Sequence, residues 1–198
     1  MASFSTEKWL YEEVTVFDLE CPGQELAAVE FYGCTLRSAR LGGATLRRWV
    51  FEDCRFEDCD LSNAVLTGCV FQRCVFQGCR LVGVDWREAS PLTFEAEFCE
   101  CALGLSNFAG MGLVGLQLVR CDCTEADFTE ADLRDAAFPG TKLAGALFEQ
   151  TRLEGADLSQ AFGDAVDPLQ NRVKGAKFSV EAAIRLAGRF GITVPTGG

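Results

Sequence analysis

Cysteine is the residue whose type and spacing could do chemistry in this sequence. The chain of 198 residues holds eleven cysteines and no histidine. In the stretch FEDCRFEDCDLSNAVLTGCVFQRCVFQGCRL, Phe51 to Leu81, thiols stand at Cys54, Cys59, Cys69, Cys74 and Cys79, spaced by five or multiples of five. Such thiols could form disulfides, bind a soft metal or act as nucleophiles. The opening MASFSTEKWLYEE carries acids and has no apolar core segment, so it does not read as a secretory leader. An odd number of thiols without a leader implies reduced cysteines in a cytosolic protein. Zinc needs four ligands converging tetrahedrally, usually from Cys-x2-4-Cys knuckles, whereas intervals of five and twenty draw lines of sulfur. Cys121 and Cys123 are both expected to point inward and make a poor chelate. Without histidine there is no Ser–His or Cys–His pair and no His-based acid–base catalysis. Buried cysteine otherwise behaves as a small hydrophobe. The expectation is core filling, with no cofactor, no metal and no enzymatic activity.

The cysteines follow a larger rhythm. Phe or Leu recurs every fifth residue, at Phe51, Phe56, Leu61, Leu66, Phe71, Phe76 and Leu81. The same phase runs back through Leu46, Leu41, Leu36, Phe31 and Leu26 and forward to Trp86. It slips, resumes at Phe98, and continues through Phe108, Phe128, Phe138 and Phe148 to Leu158. Two residues before most of the large residues stands a small or thiol one, such as Cys34, Ala44, Cys54, Ala126 or Ala136, which accounts for eight of the eleven cysteines. The other three positions are mostly polar, charged or Gly. Each unit of five therefore points one small and one large side chain inward, and fixed-period self-similarity is the mark of a solenoid.

The segments EADFTEADLRDAAF (Glu125–Phe138), GADLS (Gly155–Ser159) and CDLSNAVL (Cys59–Leu66) resemble the pentapeptide-repeat family, whose motif is Ala-Asp/Asn-Leu-X-X. The resemblance covers roughly residues 26–162. It implies an all-β solenoid, a right-handed quadrilateral β-helix with twenty residues per coil. Like residues are twenty apart here: Phe31, Phe51 and Phe71, or Cys34, Cys54 and Cys74.

The expected organisation is an N-terminal cap and first irregular coil over 1–25, a repeat block over 26–86, a phase break over 87–97, a second block over 98–178, and a C-terminal helix and tail over 179–198. From Trp86 to Phe98 is twelve residues where ten would keep phase. A two-residue insertion that bulges outward is the simplest account; a three-residue deletion is the other. Protruding loops are where function concentrates, which marks Arg87, Glu88, Thr93, Glu95 and Glu97 as candidate partner contacts. In the terminal segment, Ser179 reads as a helix N-cap, Glu181 as a first-turn acid and Gly191 as the stop. Ile192 and Val194 read as a short strand. Ile184, Leu186, Ala187, Phe190, Ile192 and Val194 are more apolar than a simple cap needs, which points to a C₂ homodimer.

The net charge is −11, which argues against direct nucleic-acid binding and for a basic protein partner. Acids gather at Glu52, Asp53, Glu57, Asp58 and Asp60, and again at Asp122, Glu125, Asp127, Glu130, Asp132 and Asp135. Other columns alternate in sign, as at Arg40, Asp60 and Arg80, like ordinary cross-strand pairs. The size, the two repeat blocks and the final helix with GITV also resemble the Qnr-type and immunity subgroup. That likeness implies an acidic DNA-mimicking rod that binds DNA gyrase and topoisomerase IV and protects them from quinolones or natural poisons. The alternative is a scaffold for an unrelated protein partner.

Overall fold

The computed structural model of the chain describes residues 2–5, 9–17, 19–26, 28–90, 93–163, 166–189 and 191–193. The backbone winds into a right-handed quadrilateral β-helix of about eight coils, closed at one end by helix α1, Val180–Arg189. The first face holds the four-stranded parallel sheet of Leu10–Glu12, Glu30–Tyr32, Val50–Glu52 and Val70–Gln72. The second face holds a seven-stranded parallel sheet that runs from Ala2–Ser3 to Gln117–Val119. The third and fourth faces are joined largely by isolated bridges, such as Arg40 to Asp60 and Asp127 to Leu147.

Coil stacking obeys the twenty-residue register, with Phe31 beside Phe51 and Phe51 beside Phe71. Rings then stack at the strand spacing. The centroids of Tyr11, Phe31, Phe51 and Phe71 follow one another at 5.0, 5.1 and 5.1 Å. Phe108, Phe128 and Phe148 do the same on the fourth face, at 5.2 and 5.0 Å. Small residues two positions earlier leave room for these rings, so the interior is filled by two side chains per unit.

Across the phase break the register becomes twenty-two: Phe76 pairs with Phe98, Arg80 with Ala102 and Asp85 with Asn107. The chain carries a two-residue insertion, not a deletion, and it falls on the first face. The second, third and fourth faces continue through it.

The corner of each unit needs a left-handed residue, which explains why the position two after the large residue is Gly, Asn or a polar residue. Gly33, Gly68, Gly83 and Gly145 fill it, but so do Asp53, Asn63, Glu125 and even Leu105. A non-Gly residue held there costs about 1–2 kcal/mol, and the coil geometry imposes that cost. At the C-terminus Ser179 Oγ accepts from Ala182 N at 3.1 Å. Gly191, at φ +73°, donates to Gly188 O, and Ile192 N donates to Ala187 O. That is a Schellman stop. Ile192 therefore belongs to the helix terminus and not to the short strand expected of it; Val194 lies outside the described residues. Among the described residues no helix is long and apolar enough to cross a membrane.

Two substitutions should move stability in opposite directions. Leu105→Gly relieves a left-handed corner at a side chain already 60 % exposed, and should leave the thermal midpoint unchanged or raise it, the relief of about 1–2 kcal/mol outweighing the entropic cost of Gly. Gly163→Ala places a Cβ 2.9 Å from the Leu143 and Ala144 backbone at φ +108°, and should cost about 1–3 kcal/mol. Circular-dichroism melts of both variants check the pair.

Candidate functional site

The thiols resolve first. All eleven cysteines are free, and all but Cys99 are buried. They serve the backbone. The Cys54 thiol donates to Phe31 O at 3.3 Å, Cys59 to Leu36 O at 3.3 Å, Cys74 to Phe51 O at 3.4 Å and Cys121 to Phe98 O at 3.4 Å. Each adds a side-chain donor to a carbonyl of the coil below. Where the slot holds a hydroxyl the same bond forms: Ser106 to Leu81 O at 2.8 Å, Thr141 to Leu118 O at 2.6 Å and Thr151 to Phe128 O at 2.9 Å. The small inward position is thus more than a filler. It mostly holds Ala or a small side chain with one donor, of which cysteine is the apolar version. Burial pushes the Cys69 and Cys74 thiols up to about 12, so neither is a nucleophile at neutral pH. Among the described residues no group of His, Cys, Asp and Glu could hold a metal ion.

The acids do not behave as one set. Glu52, Asp53, Glu57, Asp58 and Asp60 lie on one turn that wraps from the first face across the second to the third. Most are neutralised: Arg73 bonds Glu52 at 2.7 Å and Asp53 at 2.6 Å, Arg37 bonds Glu57 at 2.5 Å, and Arg80 approaches Asp60 at 3.9 Å. The Arg73 guanidinium holds the Asp53 carboxyl below its ordinary value. The second group wraps from the third face across the fourth to the first. Two of its members are neutralised, Asp122 by Lys142 at 3.4 Å and Asp132 between Arg134 at 2.8 Å and Arg152 at 3.0 Å, while Asp135 at its end has no cation within ion-pair distance among the described residues. Hydrogen bonds from Arg134, with help from Arg152, hold Asp132 below its ordinary value. Exposed pairs of this kind contribute about 0–1 kcal/mol each; their larger effect is to cancel the field of the acids they hold.

The middle of the second group is different. Glu125, Asp127 and Glu130 occupy the fourth face and its two corners, and among the described residues no cation lies within ion-pair distance of them. The coil register brings Glu149 onto the same face, one coil beyond Asp127, and Asp85 and Glu88 two coils before it. The cation on this stretch is Arg87, clamped to Asp85 at 2.6 and 2.9 Å. Exposed apolar side chains share the surface: Leu105 at its edge, and Leu147 and Leu169 on it. Linear inspection groups Asp122 to Asp135 and misses Asp85 and Glu149; reading the sequence in columns of twenty would have found both.

The phase-break residues adjoin this face. A 3-10 turn, Trp86–Glu88, carries Arg87 and Glu88 exposed on it, and Glu88 accepts from the Thr67 hydroxyl at 3.2 Å. Thr93, Glu95 and Glu97 are exposed on the far side of the insertion. The described residues of the segment expected to bulge outward stay tied to the preceding coil. Ser90 N donates to Cys69 O and Glu95 N to Phe71 O. Phe94 turns inward, with its ring 6.4 Å from Phe71 and 5.6 Å from Trp86. The ring fills the space that the interrupted first face leaves. Residues 91 and 92 lie outside the described residues. Of the apolar terminal set, Ile184, Leu186 and Ala187 are half-buried and Ile192 is exposed; Phe190 and Val194 lie outside the described residues.

Comparison with known proteins gives both sequence and structural matches. The family model described as pentapeptide repeats matches in eight copies, over residues 30–68, 50–85, 113–143 and 121–160, together more than half of the chain. Two trypsin-treated variants of QnrB1, a plasmid-mediated fluoroquinolone resistance protein, superpose with TM-scores of 0.68 and 0.69 at 21 % and 23 % identity. They cover 95 % and 98 % of this chain, and the chain covers 98 % and 96 % of them. HetL, a pentapeptide repeat protein involved in heterocyst differentiation regulation from the cyanobacterium Nostoc sp. strain PCC 7120, superposes with a TM-score of 0.51 at 19 % identity, covering 87 % of this chain and 88 % of its own. No curated protein sequence matches significantly.

Thiol accessibility checks the ladder arrangement. In the native protein one cysteine, Cys99, should react rapidly with a thiol reagent such as DTNB, and all eleven should react in denaturant. Rapid native labelling of Cys54, Cys74 or Cys121, located by peptide mass mapping, would contradict the burial described.

Proposed function

The chain belongs to the pentapeptide-repeat family, and on that footing we propose that it is a non-enzymatic, cytoplasmic protein that binds DNA gyrase or topoisomerase IV and protects it from quinolones or natural poisons. The observation that carries this reading is the acidic stretch of the fourth face: among the described residues Glu88, Glu125, Asp127, Glu130 and Glu149 have no cation within ion-pair distance, and Asp85 beside them is held by Arg87. Duplex DNA presents its charge as a dense linear array, and a surface evolved to hold that array attracts a rod with acids along one side. Leu105, Leu147 and Leu169 would add apolar contact once the surfaces meet. Arg87 and Glu88, with Thr93, Glu95 and Glu97 behind them, stand where the break meets the acidic face and would disturb the poison-stabilised cleavage complex. The coil shape shared with QnrB1 is compatible with this reading.

HetL, a rod of the same fold linked to a different process, favours keeping a second reading: a scaffold for an unrelated partner. The two separate in a supercoiling assay with purified gyrase and a quinolone. The wild-type protein should restore supercoiling. The triple reversal Glu125→Lys, Asp127→Lys, Glu130→Lys should lose at least tenfold in protective potency, while reversing Glu52, Asp53 and Glu57, the same change in charge placed on the first and second faces, should cost much less. Equal losses would remove the fourth face from its assigned role; no rescue by the wild type would favour the scaffold.

Pairing of two copies through Ile184, Leu186, Ala187 and Ile192 completes the proposal. The terminal segment carries Arg172, Lys174, Lys177, Arg185 and Arg189 against Glu181, so a C₂ contact there brings like charges together. Dimerisation should therefore strengthen as salt rises, and sedimentation velocity at low and moderate ionic strength tests it. A monomer at micromolar concentration under both conditions would exclude the dimer.

A further inference from the structure

Charge is divided unevenly along the tower. Residues 1–168 hold thirteen Lys and Arg against twenty-eight Asp and Glu, while residues 169–198 hold five against one. An acidic rod thus ends in a cationic cap. Two of the five, Arg172 and Lys174, stand on the last coil of the first face, with Arg152 one coil before them. Arg172 is bridged to Arg152, which is bridged in turn to Asp132. Lys174 lies two residues beyond Arg172, about 7 Å along an extended chain. Lys177 is tied to Asp157 at 3.4 Å and Arg152 to Asp132 at 3.0 Å. Arg172 and Lys174 are exposed, and among the described residues no carboxylate lies within ion-pair distance of either. Beside them opens a groove of about 360 Å³ lined by Gln150, Arg152, Leu169, Gln170 and Arg172, with Glu130 its one carboxylate. Guanidinium and amide groups are donors matched to phosphate oxygens.

We propose that this cationic end contacts the phosphodiester backbone of duplex DNA. The proposal rests on the topoisomerase reading for one point: a rod lying on a DNA-binding surface ends where the enzyme's own duplex resumes. The total charge of −11 argues against nucleic-acid binding by the chain as a whole, but it does not describe the last two coils. An extended anionic surface such as a membrane fits less well. Lying on such a surface, the first face would bring Glu12, Glu30 and Glu52 against it together with Arg172. A duplex crossing the tower touches the last coils alone.

The arrangement has its own salt signature. At 0.01 M the Debye length of about 30 Å spans most of the rod, so the acidic body repels DNA; at 0.1 M it is about 10 Å and isolates the cap; at 1 M it is about 3 Å and the attraction itself is gone. Affinity should therefore pass through a maximum, whereas an ordinary basic protein loses affinity steadily with salt.

The experiment is fluorescence anisotropy of a labelled duplex titrated with the full chain across this range. The expected result is a maximum near 0.1 M that falls about tenfold in Arg172→Glu/Lys174→Glu and persists in the control Lys142→Glu; circular dichroism establishes that the variants fold. Absence of binding at every ionic strength, equal binding by the double variant, or stronger binding to phosphatidylserine vesicles than to DNA would each overturn the proposal. No topoisomerase enters the assay, so a failure here and a failure of gyrase protection are separate results.

Discussion

Everything in this molecule depends on one constraint: each coil must offer its backbone hydrogen bonds to the coil above at a fixed step along the chain. Bonds such as Val50 N to Val29 O and Asp60 N to Ala39 O repeat from coil to coil. Once that step is twenty residues, a side chain's place on the tower is decided by its number. Large rings fall on rings, thiols on thiols, and surface charges on whatever stands twenty positions away. The interior chemistry follows from the same constraint. The small inward position of one coil lies against carbonyls of the coil below, and a side-chain donor there adds a bond to those the backbone already makes. Cysteine, serine and threonine are the small residues that can supply it.

The fold was legible because its signal is redundant. One Leu at a five-residue interval says nothing, but a phase held from Leu26 to Leu158 with one slip leaves few alternatives. The two-residue insertion could also be argued from the count between Trp86 and Phe98. The inward place of Phe94 could not, because its packing against Phe71 and Trp86 leaves no mark in the linear sequence. The strand assigned to Ile192 failed because two apolar residues flanking a threonine mimic alternation, while the helix before them still required its Schellman bonds.

The candidate site was less legible. Acids adjacent in sequence look like a cluster, yet Glu52 to Asp60 travel round three faces and meet Arg37, Arg73 and Arg80 from neighbouring coils. Neutralisation is a property of columns. Glu125, Asp127 and Glu130 keep their charge because the residues twenty positions away, Leu105, Asn107 and Gly110 on one side and Gly145, Leu147 and Gln150 on the other, carry none. Function in such a molecule is written in what is left over after packing and pairing have taken their share of the sequence. That is why the fold is plain from one chain and the partner is not.

The odd coil has a further consequence. A stack of near-identical turns has no built-in address: any coil could dock on any other, and a chain displaced by one whole turn would still match ring to ring. The twenty-two-residue turn breaks that degeneracy. A slipped chain would put Phe94 against an ordinary turn and leave the extra space above Phe71 and Trp86 empty. The insertion thus acts as an index mark that gives a repetitive sequence a single alignment. Trp49, standing where other coils hold a small residue, adds a second mark toward the N-terminal end. The irregularities that first look like damage to the repeat are what make its assembly unique.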